Sequence, residues 1–172
     1  MKHIKLIKTV VLASAVFLAA CAASGNTYRA SCGYERVEQT ESPEVVRITE
    51  SMSERYPICP EVLQALIFYE SSNRSFVVSR WGDVGYMQVN PRWQQERMDR
   101  LGVSDLTDGY GNILVGTDYL MELCRKYGDI SIALTAYNKG EEAADGTISP
   151  WEDEYSRKIL ELSEKLERMH CK

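Results

Sequence analysis

A glutamate at the end of an apolar helix is the first candidate for chemistry in this chain of 172 residues. Glu70 follows Phe68 and Tyr69 at the end of a segment, 61–72, that is rich in aliphatic side chains. Such surroundings favour the neutral form of a carboxyl group, so we expect its pKa to be raised and expect it to donate a proton near neutral pH. A proton donor of this kind suits the cleavage of a glycosidic bond. On this residue alone, the alternative is that Glu70 marks the polar end of its helix or pairs with an arginine.

Histidine is too scarce for most other catalytic machinery. The chain has only His3 and His170, and His3 lies in a segment that we interpret below as a cleaved signal. A zinc site of the HExxH type cannot be built from one histidine, and a Ser-His-Asp or Cys-His centre would depend on a residue two positions from the end. We therefore expect carboxylate catalysis without a metal or another cofactor.

Several short segments accompany Glu70 at defined distances along the chain. They are Glu70-Ser71, Ser79, Gly85, Met87-Gln88 and Ala136-Tyr137-Asn138-Lys139-Gly140. In this order they resemble the lytic transglycosylase domain of the goose-type lysozyme superfamily. In that family a Glu-Ser pair ends the catalytic helix, a Gly-x-Met-Gln segment lines the cleft and an Ala-Tyr-Asn-x-Gly motif completes it. The resemblance covers roughly residues 57–155.

The resemblance implies a role for each matching residue. Glu70 would be the catalytic acid and then the base, and Tyr137 would hydrogen-bond to it, while Asn138 fixes the turn that presents Tyr137. Ser79 would hydrogen-bond the sugar or the departing group near the cleavage point. The alternatives are that Tyr137 belongs to the core and that Ser79 and Asn138 are ordinary turn residues.

The resemblance also implies which residues bind the glycan. Gln88, with the backbone around Tyr86 and Met87, would line the groove, although Met87 has core packing as its alternative. After the Glu-Ser pair the family usually has an aromatic residue followed by Asn-Pro, where this chain has residues 73–75, Asn-Arg-Ser. We therefore expect the local loop and the substrate preference to differ.

The implied reaction is non-hydrolytic and acts on peptidoglycan. Glu70 would protonate the oxygen that links N-acetylmuramic acid to N-acetylglucosamine, and its carboxylate would then take a proton from the C6 hydroxyl of the muramic acid. That hydroxyl attacks the anomeric carbon and closes a 1,6-anhydro ring. Asp83 is the candidate for a second carboxylate, so hydrolysis by a lysozyme-type muramidase is one alternative. An inactive glycan-binding or assembly protein is the other.

The scaffold that must position these residues is mostly α. We predict a lysozyme-like α+β domain of about six helices, with at most a small β-hairpin beside the cleft. The segment 73–90 shows no sustained period and contains Gly82 and Gly85, so it predicts a loop or the short hairpin. The first predicted helix begins after Pro43, and the next two cover 61–72 and 91–101. A turn at 109–112 leads into a fourth helix that ends near 127. Asp129 caps a fifth helix that ends near 137, and the last predicted helix covers 155–169.

The first 20 residues have the pattern of an export signal. Lys2, Lys5 and Lys8 form a basic end, and residues 9–20 form an uncharged, mostly apolar run. As a helix this run rises only about 18 Å, well short of the roughly 30 Å of a membrane's hydrocarbon core. A retained anchor helix is the alternative.

Cys21 ends a Leu-Ala-Ala-Cys segment that resembles the lipobox of bacterial lipoproteins, in which the cysteine is acylated. The alternative is ordinary signal cleavage near Ala20 or Ala23. Residues 21–42 are rich in small and polar side chains and predict a flexible tether. Residues 43–172 would then form the catalytic domain.

The cysteine count agrees with a lipidated Cys21. The chain has five cysteines, so acylation of one leaves four, which can form two disulfides in an oxidising compartment. Of the three pairings we favour Cys59 with Cys124 and Cys32 with Cys171.

The charge of the chain argues against nucleic acid as a partner. The formal net charge is −5, and the loss of three signal lysines would take it to −8. We expect an exported protein held at the cell envelope by lipid, with peptidoglycan as its substrate. The resemblance implies an enzyme that opens local holes in the wall, either for remodelling or for an envelope-spanning secretion or conjugation machine, which is a candidate partner.

Overall fold

Helices form nearly all the regular secondary structure in residues 42–144 and 153–170, the parts of the chain that the computed structural model describes. The predicted signal 1–20, the predicted lipidation site Cys21, the tether up to residue 41, Cys32 and Cys171 lie outside the described residues. The described helices are α1 (Pro43–Arg55), α2 (Pro60–Ser71), α3 (Pro91–Leu101), α4 (Gly109–Tyr127), α5 (Ile130–Lys139), the short α6 (Glu141–Ala144) and α7 (Glu154–His170). The prediction of a mostly α domain is confirmed.

The helix boundaries follow from local chemistry. Helices α1, α2 and α3 each begin with a proline, whose missing N–H is not needed in the first turn. Side-chain oxygens of Asn90, Asp108 and Asp129 accept hydrogen bonds from backbone N–H groups at the starts of α3, α4 and α5. The cap predicted at Asp129 is therefore confirmed.

The segment between α2 and α3 is a loop with isolated antiparallel bridges. Val84 pairs with both Val78 and Val89. Ser72 and Asn73, directly after α2, both have positive φ angles, of 53° and 59°. The loop that follows the Glu-Ser pair thus turns sharply away from the helix axis.

The core forms where α2 packs against α1 and α7, and where α4 packs against α1, α3 and α5. The middle of α2 is buried on all sides, from Leu63 to Ile67, as expected for a central helix. The contact between α2 and α7 brings the last helix beside the one that carries Glu70. None of the described helices combines the length and the apolar character that crossing a membrane requires.

Two predictions about α4 were wrong. Residues 109–112 form the first turn of α4 rather than a separate turn, because Asp108 accepts a hydrogen bond from the N–H of Gly111 at 2.7 Å. The pairing of Cys59 with Cys124 is also wrong, since Cys59 is disulfide-bonded while Cys124 is a free thiol. Burial raises the pKa of the Cys124 thiol to about 12, so it stays protonated at neutral pH.

Candidate active site

Glu70 lies on the last turn of α2, with its side chain half-buried. The neighbouring Tyr69 is 41% exposed, so it does not enclose the carboxyl group as the sequence predicted. The aromatic side chains near Glu70 come instead from Tyr137 on α5 and Tyr155 on α7. Helix packing, rather than neighbours in sequence, therefore builds the surroundings of the carboxyl group.

Tyr155 is the direct partner of Glu70. Its hydroxyl group donates a hydrogen bond to Glu70 Oε1. In the sequence, Tyr155 is only the first residue of the last predicted helix, 155–169, so its contact with Glu70 was not predicted. The Tyr155 hydroxyl group was the feature that could have indicated this contact, because a buried tyrosine hydroxyl needs a hydrogen-bond partner.

Tyr137 does not have the role that the resemblance implied. Its hydroxyl group donates to the backbone carbonyl of Met87 at 2.8 Å, rather than to Glu70. Its ring packs against Tyr119, with ring centroids 5.3 Å apart. Burial raises the pKa of Tyr137 well above its usual value, and the negative charge of nearby Glu70 adds to the rise. Tyr137 thus lies near the carboxyl group but supports the loop that contains Met87.

The surroundings of Glu70 favour its protonated form. Burial is the main cause that raises the pKa of Glu70, while the hydrogen bond from Tyr155 acts against it and the negative charge of Asp83 adds a further rise. The net effect is a raised pKa, in the predicted direction. Glu70 therefore keeps its proton to a higher pH than an exposed glutamate and can act as a general acid.

Ser79 and Asp83 form a hydrogen-bonded turn beside Glu70. The Ser79 hydroxyl donates to Asp83 Oδ2 at 2.6 Å and accepts from the backbone N–H groups of Trp81 and Asp83, each at 3.1 Å. Asp83 Oδ1 accepts a hydrogen bond from Asn90 Nδ2 at 2.8 Å. Both carboxylate oxygens of Asp83 are thus held by this loop, and the Ser79 proton is directed to Asp83.

The backbone at Gly85 lies tightly against α4. The φ angle of Gly85 is +76°, and a Cβ atom there would be 2.3 Å from Asn112 Nδ2. Asn112 is fully buried; its Nδ2 donates to the carbonyls of Val84 and Leu106, and its Oδ1 accepts from the N–H of Met87 at 2.8 Å. Asn112 therefore fixes the loop against α4, a role that was not predicted from the sequence.

Gln88 lines the cleft described below. Its backbone φ angle is 47°, a conformation that residues other than glycine rarely adopt. Its side-chain amide donates to the carbonyls of Val77 at 3.1 Å and Gly85 at 2.9 Å. These bonds hold the Gln88 amide against the loop.

Tyr86 and Met87 do not line the groove. Tyr86 is 3% exposed and donates from its hydroxyl to Glu44 Oε2, and Met87 is 0% exposed. The backbone N–H and C=O of Met87 bond to Asn112 and Tyr137, so neither group is directed to a ligand. The core-packing alternative is therefore correct for Met87.

A cleft of about 350 Å³ lies between the loop before α3 and the end of α5. This volume falls within the range of small-ligand sites. Its lining residues are Asp83, Gln88, Val89, Asn90, Trp93, Gln94, Gly116, Tyr119, Tyr137, Asn138, Lys139 and Gly140. Glu70 is not part of this wall but interacts electrostatically with two residues that are, Asp83 and Tyr137.

Asn138 is exposed and lines the cleft, but it lies inside α5 rather than at a turn. Trp93 and Tyr119 also line the cleft, and sequence analysis assigned them no role. Within residues 42–144 and 153–170, no three His, Cys, Asp or Glu side chains are grouped so that they could hold a metal ion. The cleft thus offers amide, hydroxyl and aromatic groups and the ammonium group of Lys139, with Asp83 as its only carboxylate among the described lining residues.

Comparisons with known proteins agree with this geometry. The family model described as the transglycosylase SLT domain matches residues 47–158. A protein named transglycosylase from Enterobacteria phage PRD1 is 32% identical over 93 residues, which is 54% of this chain and 34% of the phage protein. The chain thus spans about a third of that relative.

Two solved structures share the fold. The soluble lytic transglycosylase SLT70 from Escherichia coli aligns with a TM-score of 0.56 and 19% identity, over 68% of this chain and 23% of that one. An inactive mutant of the lytic transglycosylase Slt from Pseudomonas aeruginosa aligns with a TM-score of 0.57 and 20% identity, over 72% of this chain and 24% of that one. The match supports the lysozyme-like fold predicted from the sequence.

Proposed function

Because the chain belongs to the transglycosylase SLT domain family, we propose that it is a peptidoglycan lytic transglycosylase in which Glu70 serves as acid and then as base. The bond cleaved is the β-1,4 link between N-acetylmuramic acid and N-acetylglucosamine, and the product carries a 1,6-anhydro ring. The observation that carries the proposal is the half-buried Glu70, which accepts a hydrogen bond from Tyr155 and interacts electrostatically with Asp83 of the cleft wall.

The first step needs a proton on Glu70. Burial and the charge of Asp83 favour the protonated carboxyl group. Glu70 donates this proton to the glycosidic oxygen as the bond to the anomeric carbon breaks.

The second step needs the carboxylate. Once Glu70 has lost its proton, the hydroxyl group of Tyr155 donates to a negatively charged oxygen, and such charge-assisted bonds are stronger than neutral ones. The carboxylate then removes the proton of the C6 hydroxyl, whose oxygen attacks the anomeric carbon. Burial thus prepares the acid, and Tyr155 stabilises the base.

Asp83 supports hydrolysis as a second candidate. It lines the cleft and its charge reaches Glu70, as a second carboxylate should. Its two oxygens, however, already accept hydrogen bonds from Ser79 and Asn90. These bonds favour an electrostatic role in which Asp83 keeps Glu70 protonated.

The glycan strand would be held by polar groups of the cleft. Gln88 and Asn138 line it. The Gln88 NH2 group is bonded to the loop, so Gln88 offers its side-chain carbonyl, and Asn138 offers its amide, to the acetamido and hydroxyl groups of amino sugars. Ser79 would act through Asp83, to which its proton is directed.

Mass spectrometry of the soluble products from purified peptidoglycan tests the proposal. The detergent-solubilised full chain should release fragments with anhydro ends, each one water lighter than a hydrolytic end. Glu70→Gln should release none, whereas Glu50→Gln, which changes an exposed carboxylate on α1, should match the parent. Hydrolytic ends would favour the muramidase. Fragments released by Glu70→Gln would contradict the role of Glu70, and an inactive parent that binds glycan would favour a binding protein.

The cellular setting completes the proposal. We propose that residues 1–20 direct export and that lipid on Cys21 holds the enzyme at the envelope, where it opens the wall for a secretion or conjugation machine. Metabolic labelling with a fatty-acid analogue should mark the parent and not Cys21→Ser. Label that persists in the variant would contradict lipidation at this residue.

A further inference from the structure

Trp93 presents an exposed aromatic face at the edge of the cleft. It lies in the first turn of α3, is 79% exposed and lines the cleft. Tyr119 and Tyr137, the other aromatic residues that line this cleft, pack against each other, and Tyr137 donates its proton to the loop. Trp93 therefore provides the one widely exposed ring among the described residues of the cleft wall.

The position of Trp93 is fixed relative to the loop beside Glu70. The side-chain carbonyl of Asn90 accepts from the N–H of Arg92 at 3.1 Å and so caps α3. The amide of the same side chain donates to Asp83 at 2.8 Å and to the carbonyl of Trp81 at 3.2 Å. A single side chain thus ties the helix that carries Trp93 to the loop that carries Asp83.

Among the described residues, four amide side chains line the same cleft, and two of them, Gln94 and Asn138, lie outside the loop before α3. Gln94 Oε1 accepts a hydrogen bond from Arg97 Nε at 2.8 Å, and Arg97 is itself held by buried Asp118. The donor end of the Gln94 amide is therefore turned away from Arg97. Asn138, exposed on α5, contributes the second amide.

We propose that Trp93, Gln94 and Asn138 form a subsite that binds an N-acetylhexosamine ring of the glycan strand. The ring would lie with its C–H face on the indole, and the two amides would bond to its acetamido and hydroxyl groups. Lys139 also lines the cleft, but its ammonium group is paired with Asp153. Neutral amides beside an aromatic face therefore suit an uncharged amino sugar better than a phosphate or a peptide carboxylate. This inference rests on the proposed function.

The subsite has a defined place in catalysis. Trp93 lines the cleft and Glu70 does not, although Glu70 interacts electrostatically with Asp83 and Tyr137 of the wall; a sugar on Trp93 would therefore not be the one whose bond breaks. Binding there holds the strand in register while Glu70 acts on a neighbouring ring. The loss of Trp93 should therefore weaken binding and raise KM, while the chemical nature of the product stays the same.

Calorimetric titration of the full-length Glu70→Gln protein with N,N′,N″-triacetylchitotriose tests the subsite. We expect binding that weakens about tenfold or more in the added Trp93→Ala variant and is mostly kept in Trp93→Tyr, which retains an aromatic face. Trp81→Ala, which removes an indole of similar exposure that is not part of the cleft wall, should bind as the parent does. Matching thermal unfolding curves should show that each variant is folded.

The two proposals fail in different ways. If the parent chain releases no anhydro products, the proposed function fails, whatever the chitotriose titration shows. If those products appear but Trp93→Ala binds chitotriose as tightly as its parent, the subsite alone is overturned. Absence of chitotriose binding by the Glu70→Gln protein also overturns the subsite.

Discussion

Replacing Tyr155 by Phe would separate the two opposing influences on Glu70. The change removes the hydroxyl group that donates to Glu70 Oε1 but keeps the ring. Burial, which raises the pKa of Glu70, remains, and the hydrogen bond, which lowers it, is lost. We therefore expect the pKa of Glu70 to rise further. The high-pH limb of the pH–rate profile, along which a general acid loses its proton, should move to higher pH.

The loss of rate follows from the strength of the bond. A hydrogen bond to a charged group contributes about 1.5–3 kcal/mol, and about 1.4 kcal/mol changes a rate tenfold. Tyr155 donates to the carboxylate that forms as the proton is transferred, so kcat should fall by about tenfold to about a hundredfold at the optimum of the parent. KM should change less, because Tyr155 is not among the residues that line the cleft.

The assay is the release of soluble fragments from purified peptidoglycan, measured across pH for the parent and two variants. Tyr137→Phe is the control, since it removes a hydroxyl group that donates to Met87 instead. It should cost about 1 kcal/mol of stability and leave the high-pH limb in place. The reasoning is refuted if the limb moves in Tyr137→Phe and stays in place in Tyr155→Phe.

Three further predictions concern stability. Because the pKa of Glu70 is raised in the folded protein, its carboxyl group stabilises the fold below the unfolded value of 4.5, and this contribution is lost as pH rises through the folded pKa. Glu70→Gln should therefore raise Tm at neutral pH by at least about 2 °C and should give no gain in acid. An equal gain at both pH values would contradict this. Gly85→Ala would place a Cβ only 2.3 Å from a buried amide at a residue with positive φ, and it should lower the free energy of unfolding, measured in urea, by about 2–4 kcal/mol. The control Gly102→Ala, whose Cβ would meet no atom within 4 Å, should lower it by about 1 kcal/mol. Equal losses would reject the steric argument. Burial alone would raise the pKa of Asp153, but hydrogen bonds from two side chains of α5 and from a backbone N–H at the start of α7 outweigh burial and lower that pKa. The Asp153 carboxylate thus stabilises the fold above pH 3.8, and this stabilisation is lost as pH falls through the folded pKa. Asp153→Asn should therefore lower the free energy of unfolding by about 2 kcal/mol at neutral pH and by less in acid, as measured by thermal unfolding.

Local sequence features predicted most of the helices. The bounds of α3 at 91–101 and the cap at Asp129 depend on a proline or a capping side chain next to the helix, and both agree with the structure. The loop that contains Gly85 and Gln88 was also placed between the correct helices. In each case the interactions that decide the structure join residues close together in sequence.

Contacts between distant elements could not be predicted in the same way. Periodicity predicts which face of a helix is buried, but it does not say which residues of another element that face meets. The family motif placed Tyr137 near Glu70, yet its hydroxyl meets a carbonyl of the loop. Tyr155 reaches Glu70 across 85 positions, through the packing of α7 against α2. These pairings depend on how helices cross, which one helix does not encode.

The cleft depends on a helix that carries none of the groups proposed to react. Asn112, Gly116 and Tyr119 recur at intervals of four and three along α4 and therefore share one face. Asn112 bonds to the loop before α3, Gly116 leaves room for Met87, whose Sδ would lie 2.6 Å from a Cβ there, and Tyr119 packs against Tyr137. One rigid face thus sets the loop and the end of α5, and with them the two walls between which the glycan would lie. Substitutions on this face should widen or tilt the cleft while the carboxyl group of α2 stays in place, so they should change substrate binding before they change the proton chemistry.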